Sequence, residues 1–377
     1  MINYITIERE FIFCPICQKD NYEILFEREQ KVYTKLGIFC FEVIDGVCKS
    51  CGCIYQNPRP TQEQLDWYYN NKFLHTLGRP DYNIIARKKA LNSIIQSPSK
   101  VFEIGAGEGQ FLIELEKLGH QAFGYEPSAN TIKPEFTLKK NNPPYDIIIS
   151  NHVMEHVADL NGFLGDLISK LKNDGFIYFE VPNLHYYQSS SWCVYHEHLI
   201  HFTPRNLMYL LNHHGFETIA LEFENITRDF GFGIFAKYTG KKIKMNSPHE
   251  YIVNKSYMIP CLERFKERKY LQKMQLDRLL SSSDHSIVLW GANIFALDLL
   301  TVLKPKELKR IIIVDKSKEK INDDFFSKYF VPAIDPKQLN NESEFSFLIC
   351  AINWEEEIKK EIKSLGFNQS EIDSLVI

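Results

Sequence analysis

The sequence predicts an α/β chain in three successive parts: a small metal-binding ribbon, an open parallel-sheet core and a second, smaller α/β unit. Three observations carry this. Two C-x-x-C pairs open the chain. A strand–turn–helix–strand unit containing EIGAGEG follows, and SIVLWGANIFALDLL repeats the strand–glycine–helix pattern near the end. At 377 residues the chain is long for one hydrophobic core, which agrees with a division into 1–75, 76–245 and 246–377.

Composition narrows the function classes. The apolar share of 44% is that of an ordinary globular protein, and a net charge of −4 argues against nucleic-acid partners and anionic membrane surfaces. The start, MINYITIEREFIF, lacks the cationic flank and long apolar run of a signal peptide, and no apolar stretch reaches the length of a membrane span. The expectation is a cytoplasmic, monomeric protein acting on a small molecule.

Four of the nine cysteines form the pairs Cys14/Cys17 and Cys48/Cys51. In a reducing compartment such pairs are metal ligands rather than disulfides. A two-residue gap lets both thiolates of a turn reach one ion, and two turns complete a closed Cys₄ structural zinc site. The intervening YEILFERE and IFCFEVIDGV are rich in strand formers, as a zinc ribbon needs. Cys40 and Cys53 lack the paired spacing. Thr61 is placed to cap a helix, and IIARKKALNSII has helical apolar spacing before the core begins.

In KVFEIGAGEGQFLIELEKLGHQAFGYEPS, Val101, Phe102 and Ile104 predict a buried strand, and Gly105, Ala106, Gly107 and Gly109 a turn that a ligand approaches closely. The helix ends at Gly119, and a second strand ends at Glu126, an acidic residue spaced to hold a ribose diol. Glu103, two positions before the first glycine, suits the ammonium of a methionine moiety and would repel a pyrophosphate. Downstream, YDIIISNHVMEHV runs from Asp146 through a strand to Asn151 and His152. A helix bearing Phe163, Leu164, Leu167 and Leu171 leads to a strand ending at Val181-Pro182-Asn183. Here the chain resembles the class I S-adenosylmethionine (SAM)-dependent methyltransferases, whose sheet begins with E/D-x-G-x-G-x-G. That resemblance implies a Rossmann-like fold and a SAM site including Glu103, Gly105, Ala106, Gly107, Gly109, Glu126, Asn151 and His152.

The stretch WCVYHEHLIHF follows the VPN strand, where doubly wound sheets place their ligands. Its Y-H-E-H-L-x-x-F-T-P pattern resembles the zinc-ribbon sugar methyltransferases, especially those that C-methylate dTDP-linked keto-sugars. The resemblance implies catalytic roles for Tyr195, Glu197 and His198, with His198 as general base. It also implies a substrate contact from Tyr69, with Tyr68 beside it; His196, in the histidine loop itself, is placed as a substrate contact or as structural support. The chemistry agrees: an activated methyl donor leaves the protein to supply proximity and a base. His201 is expected to support the loop, and His156 either to sit on a helix surface or, with His152, to approach the substrate from the opposite side.

After a charged amphipathic helix, the last part offers a strand, the turn Gly291-Ala292-Asn293, a helix, and RIIIVDK ending at Asp315. One glycine replaces the three of a dinucleotide loop, so NAD binding is not expected. The same sugar methyltransferases end in such a unit, which helps to hold the nucleotide-sugar. KLGIFCFEV lacks the Pro-Leu-Ala-Asn found there in relatives, which leaves C- and O-methylation both open. The alternative is an inactive SAM-fold, zinc-binding assembly module.

Overall fold

The computed structural model describes residues 2–4, 7–71, 84–92, 95, 97–107, 109–126, 143–189, 194–224, 231–243, 245–282, 284–322, 324–340, 344–351, 354–368 and 370–375. The N-terminal strands are β1 (Ile2–Tyr4), β2 (Arg9–Glu10), β3 (Tyr22–Thr34), β4 (Gly37–Cys48), β5 (Ile54–Gln56) and β6 (Arg59–Pro60). β3 and β4 form a long antiparallel hairpin running from Thr34↔Gly37 to Tyr22↔Cys48. That register sets the two cysteine pairs side by side, one just before β3 and the other at the end of β4.

The central sheet contains β7 (Lys100–Ile104), β8 (Gln121–Tyr125), β9 (Tyr145–Asn151) and β10 (Leu171–Pro182). Between β10 and the last two strands of this sheet, β12 (Phe216–Glu222) and β13 (Gly231–Tyr238), lies the short β11 (Ile200–His201). The order is β12-β13-β10-β9-β7-β8; β8, β7, β9 and β10 are parallel, and β13 runs antiparallel to both neighbours. Ile147, Ile148 and Ile149 are all buried, as expected of a strand covered on both faces. The helix Leu160–Lys170 starts where Asp159 accepts from the Gly162 N–H, and Leu164 and Leu167 fill the core. Leu171 has already left the helix and begins β10.

β11 departs from the sequence expectation. It pairs with β5, as Ile200↔Tyr55 and His201↔Ile54, so the loop after β10 belongs to the N-terminal sheet. A two-residue strand has no periodicity for a sequence to reveal.

The final sheet holds β14 (Ser286–Trp290), β15 (Ile311–Val314), β16 (Ala333–Ile334), β17 (Phe345–Ile349) and β18 (Glu371–Ser374), all parallel, in the order β16-β15-β14-β17-β18. The helix Tyr251–Ser282 leads into it and also grips the N-terminal sheet, where the Asn254 Nδ2 donates to the Gly52 carbonyl at 2.9 Å. A Cβ on Gly52 would lie 2.4 Å from the Glu250 carbonyl carbon, so only glycine admits this approach. Among the described residues, no helix is long and apolar enough to cross a membrane.

Within the hairpin, the Arg28 guanidinium and the Asp45 carboxylate form a fully buried ion pair. Burial alone would push the Asp45 carboxyl up, but the Arg28 charge and His201 outweigh it and hold it below the usual range. A depressed folded value stabilises the fold above the ordinary carboxylate range, and the contribution is lost as pH falls through it. Asp45→Asn leaves Arg28 as an uncompensated buried charge and should cost about 3–5 kcal/mol by urea unfolding at pH 7. The difference from the parent should shrink toward pH 3.

Candidate active site

The turn between β7 and the helix Gln110–Lys117 opens at the point where strand order reverses, with β9 on one side and β8 on the other. The Gly105 and Ala106 N–H groups both donate to the Tyr125 carbonyl, at 2.8 and 3.1 Å, folding the turn over the end of β8. Gly107 has φ +54, and a Cβ there would meet nothing within 4 Å, so its outer face borders open space. The Glu126 carboxylate accepts from the Gly107 N–H at 3.1 Å. Glu103 is buried and faces the Arg87 guanidinium at 3.3 Å, a partner from the helix Ile84–Asn92 that the sequence did not suggest.

Asn151 ends β9 with both amide atoms buried and unpaired among the described residues. A buried orphan amide beside an open glycine turn is what a polar ligand would satisfy, so these residues fit a nucleoside-type cofactor. His152 stands at φ +53, a conformation uncommon outside glycine. Its Nδ1 lies 3.3 Å from Glu155 Oε1 and its Nε2 3.1 Å from Glu180 Oε1. The ring thus links the ends of β9 and β10.

The histidine loop is held from outside its own sheet. Arg28 Nη2 and Gln30 Nε2 donate to the Val194 carbonyl at 3.3 and 3.1 Å. Gln56 Nε2 donates to the His196 and His198 carbonyls at 2.9 and 3.0 Å. Each predicted side chain then takes its own direction. His198 enters a cluster with His156, the ring centroids 4.9 Å apart and edge-on. Burial, followed by the nearby His156, lowers the His198 imidazole to about 3, against the opposing pull of Glu155 and Glu197. Its ring is therefore neutral at physiological pH. Glu197 accepts from the Tyr68 hydroxyl. His196 is buried, its ring edge-on to Phe41 and Tyr68 and its Nδ1 3.2 Å from Gln30 Oε1. Tyr195 turns the other way, toward the helix Tyr251–Ser282, where it hydrogen-bonds Arg268. His201 is buried, with Nδ1 3.0 Å from the Tyr187 hydroxyl and Nε2 3.8 Å from Asp45.

A small aromatic cavity lies against this loop, lined by Trp67, Tyr68, Tyr69, Phe41, His196 and Glu197 among others. It contains both residues expected to touch substrate. The four thiols of Cys14, Cys17, Cys48 and Cys51 lie within 4.8 Å of one another. The Cys14–Cys51 and Cys17–Cys48 Sγ pairs are 3.5 and 3.6 Å apart. Ligands of a tetrahedral ion with bonds of about 2.3 Å stand about 3.8 Å apart, so the donor set and spacing suit such a metal.

Two groups exceed the sequence reading. His156, expected on a helix surface, sits in a short turn with Nδ1 2.8 Å from the Glu197 carbonyl. Glu155, which carried no expectation, is fully buried, and burial is outweighed by His152, His156 and His198, which bring its carboxyl down to about 2. The signal available was the run H-V-M-E-H directly after a strand at the site.

With this geometry the chain is an α/β protein with an open glycine turn at its topological switch point. Residues 73–221 match the family described as a methyltransferase domain, so this stretch of the chain is a methyltransferase domain. Among curated proteins, the ubiquinone biosynthesis O-methyltransferase of Bradyrhizobium sp. (strain ORS 278) is 27% identical over 134 residues, covering 31% of this chain and 52% of that protein. The same-named protein of Rhodopseudomonas palustris (strain BisA53) is 26% identical over 134 residues, with the same coverage. The chain spans about half the length of the curated relatives it matches. Among solved structures, a SAM dependent methyltransferase from Archaeoglobus fulgidus aligns at 18% identity and TM-score 0.33, covering 42% of this chain and 94% of that one.

The two Gln56 contacts make a specific demand. Gln56→Leu leaves the His196 and His198 carbonyls without their buried donor and should cost about 1–3 kcal/mol in thermal unfolding. Hydrogen exchange should rise first at the amides of residues 194–201; exchange confined to the central sheet would contradict the assigned grip.

Proposed function

We propose that this protein transfers a methyl group from SAM to a sugar or nucleotide-linked sugar, with His198 as the general base. The observation that carries the reading is a glycine turn flanked by Glu103 and Glu126 together with a neutral, half-buried imidazole in the loop that follows β10. Glu103, Gly105, Ala106, Gly107, Gly109, Glu126, Asn151 and His152 would hold the donor, which when bound supplies an already activated methyl group. The chain then has to orient the acceptor and hold one proton. His198 takes that proton on a ring nitrogen, and the carboxylates of Glu155 and Glu197 stabilise the resulting imidazolium. Tyr68 fixes Glu197. Trp67, Tyr69 and His196 offer the apolar ring faces against which a pyranose packs.

The junction of hairpin, long helix and final sheet supports an acceptor that carries phosphate. Lys31 bonds the Thr301 hydroxyl at 2.5 Å, and Arg268 and Lys269 both stand over the Phe265 ring, with charge centres 5.0 and 4.9 Å from its centroid. Burial depresses the Lys269 ammonium against the opposing pull of Asp298. Tyr195, bonded to Arg268, links this region to the histidine loop. Methyl transfer to oxygen is supported by the curated relatives, named as O-methyltransferases.

His198→Ala should lower kcat by roughly 10²–10⁴-fold while SAM affinity by calorimetry stays unchanged. Unchanged turnover would remove His198 from the base role, and a parent protein that does not bind SAM at about 1 mM would overturn the enzyme reading.

The four thiolates are read as a closed structural zinc site. Extracting its metal with a strong chelator should release one zinc and loosen residues 7–60, since structural zinc is folding free energy. It should also free the start of the helix Tyr251–Ser282, whose Glu250 N–H donates to the Cys51 carbonyl at 3.4 Å. Hydrogen exchange with and without chelator reads both effects.

A further inference from the structure

Glu155, His156 and His198 offer one ligand atom each, all within 4.8 Å of one another. Three further features set this cluster apart from an incidental grouping. A carbonyl oxygen can only accept, so the 2.8 Å contact from His156 Nδ1 to the Glu197 carbonyl fixes the proton on Nδ1. In the neutral ring the Nε2 lone pair then faces Glu155 Oε1 across 3.8 Å, an opposition that a proton on Nε2 or a bound metal ion resolves. This is also the orientation by which metal-binding histidines are set, one nitrogen donating to a carbonyl and the other presented to the ion.

The carboxylate supplies the second feature. Glu155 Oε2 is buried and has no hydrogen-bond partner among the described residues, while Oε1 faces His152 and His156. A buried carboxylate oxygen in that state calls for an ion or a water. The third feature is rigidity. The Leu199 N–H donates to the Glu155 carbonyl at 2.7 Å, and Gln56 holds the His198 carbonyl, so both sides of the cluster are fixed by backbone bonds. An ion with bonds of about 2.0–2.1 Å sets tetrahedral ligands about 3.4 Å apart, within a few tenths of an ångström of the observed Glu155–His156 edge.

We infer that Glu155, His156 and His198 form a second, exchangeable divalent-metal site, separate from the four cysteines, whose occupancy switches methyl transfer off. Two imidazoles and one carboxylate suit a borderline ion such as Zn²⁺, and three protein ligands leave a coordination position open. The inhibitory sense rests on the proposed role of His198: a lone pair donated to the ion cannot take the acceptor's proton.

The test measures metal content of the full chain after equilibration with Zn²⁺ and desalting, with Co²⁺ spectra alongside. Expected are about two equivalents in the parent and about one in Glu155→Gln and in His156→Ala, with a second Co²⁺ band free of thiolate charge transfer. Uptake of one equivalent that survives Glu155→Gln, or two equivalents in both variants, would overturn the site. SAM binding in each variant shows that the fold persists, and the near-isosteric Glu155→Gln guards against loss of folding. Saturating the second site should lower parent turnover about 10²-fold or more, reversibly on mild chelation. Metal that binds through these residues yet raises turnover would uphold the site and reject both the switch and His198 as base. A single equivalent lost in Glu155→Gln but kept in Cys14→Ser would uphold this site and reject the thiolate one.

Discussion

The buried pair of Arg28 and Asp45 governs how the parts of this protein meet. Asp45 is fully buried and neutralises a guanidinium whose other nitrogen reaches the Val194 carbonyl at the mouth of the histidine loop. The same carboxylate stands 3.8 Å from His201, at the loop's far end. One ion pair in the hairpin thereby sets both ends of a loop that belongs, in sequence, to the central sheet. A buried pair of this kind adds little net stability compared with apolar packing. Its value here is positional, because it fixes where backbone carbonyls can go.

Gln30 and Gln56 complete the arrangement. A loop buried between two sheets must satisfy its carbonyl groups, and these amides do so for Val194, His196 and His198. With the backbone immobilised from the hairpin side, the alternating side chains are sent to different places. Tyr195 goes to the long helix, His196 to the aromatic cavity and His198 to the cluster at the strand ends. The cysteine cluster matters to the site through this same path, since it closes the hairpin that carries Arg28, Gln30 and Asp45.

At the strand ends, charge is concentrated in little space. Glu155 and Glu180 are buried on either side of His152, and His156 and His198 pack edge-on beside them. Such a group can hold a proton or a cation but cannot be left without either. The same residues therefore suit both the proposed base and the proposed metal ligand, roles that exclude one another at His198.

Much of this was written in the local sequence. The β7–turn–helix–β8 unit and its Glu103 and Glu126 follow from periodicity and glycine spacing, because adjacent residues build them. The cysteine pairs likewise announce their convergence through C-x-x-C spacing and the strand formers between them. Tertiary structure alone decided that Arg87 faces Glu103, that Tyr68 holds Glu197, and that β11 joins the N-terminal sheet. It also turned Tyr195 away from His198 and drew Glu155 and His156 into the site. Those contacts join residues 16 to 147 positions apart or depend on the direction of a single side chain, and neither leaves a periodic trace. Local spacing determined the glycine turn and the paired cysteines; the packing of one hairpin against a distant loop determined which side chains meet.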